Sequence, residues 1–155
     1  MGAAEAAAPI EVTVRLATRD DLRAILGLLG QMHLEVGIGT LDPHKTTASV
    51  AQVIDNGIPL LALKGDTPIG TMGLEEVAWW YSRDTYLGDR WNFVLREHRA
   101  SKAAAMLRDT AKGIARKSSL PLLLASLGGE DHDRKRLFFR RGGLKEIGAT
   151  FMMEA

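Results

Sequence analysis

The segment "VLREHRASKAAAML", Val94–Leu107, decides how the chain is read. It ends the apolar run "RWNFVL", passes through basic and small residues, and then takes up helical spacing. Strand, basic turn and helix in that order can hold a phosphate. The first N–H groups of a helix lack internal partners, and the dipole places about half a positive charge there. Arg96, His98, Arg99 and Lys102 add charged donors around the turn. Ser101 can cap the helix or give its hydroxyl to a phosphate oxygen. Ala100, Ala103 and Ala104 are small enough for a ligand to approach the backbone closely. Glycines would allow this more freely, and this turn has none. From the residues alone, a phosphate cradle and a well-charged helix start both stand open.

Outward from this segment the pattern alternates between strand and helix. "EVTVRLA" (11–17) alternates and is rich in β-branched residues, which predicts a strand. Thr18 and Asp21 resemble a capping box before a helix carrying Leu22, Ile25, Leu26, Leu29 and Met32. Asp42-Pro43 opens a second helix, closed by Asn56-Gly57. "IPLLALKG" and "IGTMGLEEVAWW" read as two strands joined by a hairpin at Gly65-Asp66. "YSRDTYLGD" reads as a polar connection and "RWNFVLRE" as the next strand. Ser101 to about Lys117 is helical, and "LPLLLASL" is a buried strand ending at Gly128-Gly129. Asp131–Arg141 is a basic helix with Leu137 and Phe138 facing inward, and "LKEIGATFMM" supplies one or two last strands. The order β-α-α-β-β-β-α-β-α-β, without repeat or linker, implies one α/β domain with a mixed sheet under helices.

Composition narrows the function classes. A chain of 155 residues suits one domain. No apolar run reaches the roughly 18–20 residues that span a bilayer. The opening "MGAAEAAAPIE" lacks the parts of a signal peptide, so a soluble cytoplasmic protein without membrane partners is expected. Cysteine is absent, which removes disulfides, thiolate nucleophiles and Cys-ligated zinc. The His and carboxylate spacings suggest no metal site, whether at His33, His44, His98 or His132. The net charge of +1 hides an asymmetry. Residues 1–89 carry six Lys and Arg against twelve Asp and Glu, whereas residues 90–141 carry thirteen against five. A basic half suits a phosphorylated cofactor, a nucleic acid, or simply a solvated surface.

In element order, and in the segment around Val94–Ala104, the chain resembles the GNAT-superfamily N-acetyltransferases. Their central motif is Val-x-Pro-x-x-Arg-x-x-Gly-x-Gly/Ala. Val94, Arg99 and Ala104 match it, while Arg96 replaces the proline and Lys102 the first glycine. "VRLATRDDLRAILGLL" resembles the family's opening, and "RKRLFFRRGGLKEIG" its A-x-x-x-Tyr-x-x-x-Gly-Phe segment. "WWYSRD" together with "REHRAS" is also similar to GNAT-like proteins carried on phage genomes. The resemblance covers Val12 to Met153. It implies a GNAT fold over residues 11–155, preceded by a flexible Ala-rich stretch at 1–10. The sheet would be mixed and mostly antiparallel, with six to seven strands and about four flanking helices.

The resemblance further implies acetyl-CoA as co-substrate and an amine, on a small molecule or peptide, as acceptor. Backbone N–H groups of Arg99, Ala100, Ser101, Lys102, Ala103 and Ala104 would hold the pyrophosphate, with Arg96 beside them. The backbone of Phe93 and Val94 would pair with pantetheine where the fourth and fifth strands splay, and Asn92 would line the substrate side. The last helix would bring Arg134 or Lys135 to a phosphate. The position where many family members keep a tyrosine, as acid towards the leaving thiolate, is Phe139, which has no proton to give. Either the thiolate leaves unaided, or Tyr81 or Tyr86 substitutes, or the chain binds acyl-CoA without catalysis.

An amine must lose a proton to attack a thioester, so a general base is sought. Glu75 and Glu76 point to opposite faces of one strand, with Glu76 preferred and Asp89 its rival. The cluster "AWWYSRDTYLGDRW" suits core packing, a homodimer seam or a base-stacking platform flanked by Arg83 and Arg90. A nucleic-acid-binding or modification protein is therefore the alternative from a different class. Acceptor recognition would fall to the loops at Gly37–His44 and Tyr81–Asp89.

Overall fold

The computed structural model describes residues 8–127 and 131–155; residues 1–7 of the expected flexible N-terminus and the expected break at Gly128-Gly129 lie outside them. The strands are β1 (Val12–Leu16), β2 (Ile58–Lys64), β3 (Thr67–Ala78), β4 (Thr85–Val94) and β5 (Leu122–Leu123). The helices are α1 (Leu22–Val36), α2 (Pro43–Asn56), α3 (Ala103–Lys117) and α4 (His132–Arg141). The sheet runs β1-β2-β3-β4-β5, antiparallel except for the parallel pair β4/β5. Among the described residues no helix is long and apolar enough to cross a membrane.

Period-two alternation gives the sheet two apolar faces. One carries Leu60, Met72, Leu74, Leu87 and Val94 and is covered by Ala103, Leu107, Ala111 and Ala115 of α3. The other carries Leu61, Leu63, Trp91 and Phe93 and packs against Ile25 and Leu29 of α1 and Val50 and Val53 of α2. The helix starts follow local chemistry. Asp42 caps α2 by accepting the Lys45 N–H at 3.0 Å, with Pro43 in the first turn. Before α1 the Thr18 N–H donates to the Asp21 carboxylate at 2.8 Å, and Arg15 donates twice to the same group at 2.7 and 2.9 Å.

Four expectations need correction. β4 begins at Thr85, not Arg90, because its pairing with β3 continues out to Ala78↔Thr85. The polar segment that reads as a connection therefore contributes to the strand, and the turn is only Trp79–Asp84, closed by the Trp79 N–H on the Asp84 carbonyl. β5 shrinks to two residues, and no strand forms among the described residues of the tail. A strand needs a paired neighbour, and Ile147, Phe151 and Met153 stay exposed. The sheet thus has five strands rather than six to seven. In α4 it is Phe139 that is buried, while Leu137 is exposed and Phe138 lies under the Arg108 guanidinium, 4.4 Å from its ring centroid.

One irregularity positions everything downstream. The register passes from Leu74↔Asp89 to Gly73↔Trp91, which leaves Arg90 as the extra residue of a β-bulge. The Trp91 indole then lies across β3 over Gly73, where a Cβ would fall 2.4 Å from the ring. Its Nε1–H donates to the buried Thr71 hydroxyl at 3.0 Å, which in turn donates to the Leu60 carbonyl at 2.9 Å. Gly73→Ala must push the indole out of place, and the expected loss is about 1–3 kcal/mol of unfolding free energy by denaturant titration. A second prediction concerns acid. Hydrogen bonds from Arg15 hold the Asp21 carboxyl at about 2, below its ordinary value of 3.8. Because the folded-state value is the lower one, this stabilisation is present above the unfolded value and disappears as pH falls through about 2. Asp21→Asn should therefore lower the melting temperature at pH 7 and leave it unchanged near the acid limit.

Candidate active site

β4 and β5 part company almost at once. Their ladder consists of Leu87↔Leu122 and Gly88↔Leu123, with the Leu87 N–H on the Pro121 carbonyl at 2.8 Å. Past that point the Ala125 N–H turns to the Asp89 side chain at 2.8 Å instead of to a backbone carbonyl. The Leu95 N–H donates to Ile69 of the β3 side, so by alternation the backbone groups of Phe93 face β3. Those of Asn92 and Val94 face the gap. Their carbonyls meet side chains there: Lys135 Nζ donates to Asn92 at 3.2 Å, and Arg99 Nε to Val94 at 3.0 Å. The result is a slot beside β4 with strand-like backbone and no strand opposite.

At the end of the slot the chain makes a 3-10 turn, Arg96–His98, and enters α3. The helix begins at Ala103, two residues later than the spacing at Ser101 predicts, with Lys102 in the capping position. Ser101 still serves the turn. Its hydroxyl donates to the His98 carbonyl at 2.5 Å and accepts the Ala103 N–H at 3.2 Å. The first helical bond runs from the Met106 N–H to the Lys102 carbonyl, so the N–H groups of Ala104 and Ala105 have no carbonyl within the helix. Ala100 and Lys102 are exposed and leave this end open. Arg99 is not a free arm. Besides Val94 it donates to Asp131 at 2.8 Å and Glu35 at 2.5 Å, tying β4 to the ends of α1 and α4.

The far wall of the slot is α4. Phe139 is 8% exposed, and Lys135, one turn earlier on the same face, holds its ammonium 6.0 Å from the Phe139 ring centroid. Burial lowers the proton affinity of Lys135, against the attraction of Asp89. Burial likewise raises the Asp89 carboxyl, against the Ala125 N–H and the Asn92 amide, which donates at 3.2 Å. Two N–H donors and a nearby ammonium favour the carboxylate form and oppose that shift.

Of the sequence-nominated residues, Asp89, Val94, Arg99 and Ser101–Ala104 gather along this slot and its end. Phe93 contributes its ring to the core and its backbone to β3. Arg134 points away, its side chain 87% exposed. Arg96, also exposed, lies in the turn. Glu76 is elsewhere: it accepts the Thr85 hydroxyl at 2.6 Å and lines a cavity of about 240 Å³ with Gly57, Leu87 and Ser118. Tyr81 sits at the β3/β4 turn, stacked 6.0 Å from Trp79, beyond Thr85, which is itself four strand steps, about 13 Å, along β4 from Asp89. Glu75 lies on the α1/α2 side, paired with Arg90 at 2.6 Å. Arg90 and Trp91 in turn line a pocket of about 330 Å³ with Met32, His33, Leu41 and Lys45. The burial of Lys135 is what sequence reasoning missed; its spacing of four from Phe139 was the available signal.

No protein-family model matches the sequence, and no curated protein matches it. Solved structures do. A predicted acetyltransferase from Clostridium acetobutylicum, solved with acetyl-CoA, superposes with a TM-score of 0.75 at 12% identity, over 93% of this chain and 96% of that one. A ribosomal-protein-alanine N-acetyltransferase from Brucella melitensis biovar Abortus 2308 gives 0.70 at 14% identity, over 94% and 99%. AAC(6')-Iy, in complex with a CoA-containing bisubstrate analogue, gives 0.72 at 14% identity, over 94% and 98%. The fold is that of the GNAT-type acetyltransferases.

Arg99→Ala would leave Glu35 and Asp131 without their shared partner. A loss of about 1–2 kcal/mol is expected, between the values for exposed and for buried pairs. Denaturant midpoints at low and high salt would check it, the gap narrowing as salt rises.

Proposed function

We propose that the protein binds acetyl-CoA in the slot between β4 and β5 and transfers its acetyl group to an amine. The observation that carries this reading is the early parting of the two strands directly ahead of the α3 N-terminus. An extended chain with amide groups fits the Asn92 and Val94 backbone as a strand would. Its phosphates then fall at the unpaired N–H groups of α3. The neighbours' fold supports it, as do the acetyl-CoA and the CoA analogue in two of them.

The reaction is direct attack in a ternary complex, since the chain has no cysteine to carry the acyl group. The chain contributes mainly positioning, together with backbone polarisation of the thioester carbonyl at the bulge. The amine approaches from the α1/α2 pocket, whose wall includes Arg90 at that bulge. Glu75, paired with Arg90, is the carboxylate on that side; Glu76 faces α3's side of the sheet and Asp89 secures the slot. The nucleic-acid alternative would draw on the basic half, many of whose cations already have partners. Arg90, Arg99, Arg108, Arg136 and Arg140 are paired with carboxylates, and Lys112 and Lys135 with backbone carbonyls.

Isothermal titration with acetyl-CoA tests the reading, run on the wild type and on Lys102→Glu. A carboxylate at the start of α3 favours the helix, so the variant should keep or raise its melting temperature. It should bind acetyl-CoA at least about tenfold more weakly, by repulsion of the phosphates. No binding to the wild type would overturn the proposal.

A further inference from the structure

Phe139 leaves the departing sulfur without a phenol to protonate it, yet a cation stands one helical turn away. We infer that Lys135 supplies the charge and the proton to the leaving coenzyme A sulfur. This rests on the acetyl-CoA reading and adds a catalytic residue to it.

Placement is the first argument. With phosphates at the α3 N-terminus, the pantetheine arm runs back along β4, over Val94 towards Asn92. The thioester end therefore reaches Asn92 or just beyond, where Lys135 Nζ lies 3.2 Å from the Asn92 carbonyl. The arriving arm takes that carbonyl and frees the ammonium to turn to the sulfur. Lys135 and Phe139 share one face of α4, so the lysine reaches the region a phenol at 139 would serve.

The surroundings suit the task. Asp89 favours the charged ammonium, Arg99 opposes it from the α3 side, and Arg99 is itself neutralised by Glu35 and Asp131. His132, on the same helix, is hydrogen-bonded to the Ser126 hydroxyl at 3.1 Å. Burial makes the Lys135 proton easier to release than that of a solvated lysine, bringing it nearer to a thiol's.

The step balances. The amine lone pair forms the C–N bond as the C–S bond breaks, its electron pair going to sulfur. Lys135 gives one proton to that sulfur, producing the thiol. The acceptor nitrogen loses one proton on becoming an amide, and through solvent that proton restores the lysine.

The test titrates the thiol of coenzyme A bound to the protein, read by its ultraviolet thiolate band. A cysteine thiol ionises at about 8.5 and a simple alkyl thiol higher, so free coenzyme A in the same buffer is the reference. In the wild type the bound thiol should ionise about one unit lower, a tenfold gain in thiolate. Lys135→Met should abolish that gain and Lys135→Arg should keep it. Lys135→Met leaves the half-buried Asp89 without its cation, so Asp89→Asn combined with Lys135→Met is the second variant. Loss of the carboxylate alone would lower the thiol value, so a rise in the double variant belongs to the lysine. Bound coenzyme A whose thiol titrates alike with and without Lys135 would overturn this inference alone. Failure of coenzyme A to bind the wild type would overturn it together with the proposed function.

Discussion

Two adjacent parallel strands that pair through only two residues each, Leu87–Gly88 with Leu122–Leu123, impose the constraint on which the rest of the slot depends. Backbone amides facing a gap need partners. At the branch point the Asp89 carboxylate supplies one, accepting the Ala125 N–H that a continuing ladder would have used. Farther along, two cations take the carbonyls of Asn92 and Val94. The gap is therefore stabilised by side chains that can yield their carbonyls to an extended ligand. A second row of strand residues could not do so without unzipping the sheet.

The bulge at Arg90 links this gap to the core. Without it, continuous alternation from Leu87 would put Trp91, not Asn92, on the side of the sheet that Leu87 and Asp89 share. With it, Leu87 and Asp89 lie on the α3 side, and beyond the extra residue Asn92 and Val94 return to that side while Trp91 and Phe93 enter the α1/α2 core. The indole fixes the bulge from the opposite face through Gly73 and Thr71. Core packing and slot geometry are in this way one structural unit.

Much of this was legible in the sequence where the signals are local. Asp42-Pro43, the Thr18/Asp21 pair, the Gly65 turn and the alanine stripe of α3 each act within a few residues, and each element forms, α3 two residues later than Ser101 predicts. What stayed hidden depends on partners far along the chain. Thr85, Gly88 and Asp89 look like a loop until β3 is long enough to pair with them. "LPLLLASL" and the tail look like strands, but the first pairs only through Leu122–Leu123 and no ladder reaches the tail among the described residues. The preference for Glu76 over Glu75, and for Phe93 as a backbone partner, turned on which way a residue faces. Arg99 matched a motif, and only the fold shows Glu35, sixty-four residues earlier, as its partner.

Lys135 illustrates why charge counts mislead in this chain. It belongs to the run "DRKRLFFRR", which reads as a solvated basic face, and Arg134 beside it does point to solvent. A step of one residue on a helix turns the side chain through about 100°, which here separates a surface cation from a half-buried one. A buried ammonium is costly unless something opposite compensates it. Asp89 provides that compensation from β4, and the same carboxylate keeps β5 at a distance by holding Ala125. One acidic residue thus maintains both the opening of the slot and the cation at its inner end. A structural need and a chemical one meet at Asp89, which is why the site should be sought along β4 rather than at the more conspicuous aromatic turn.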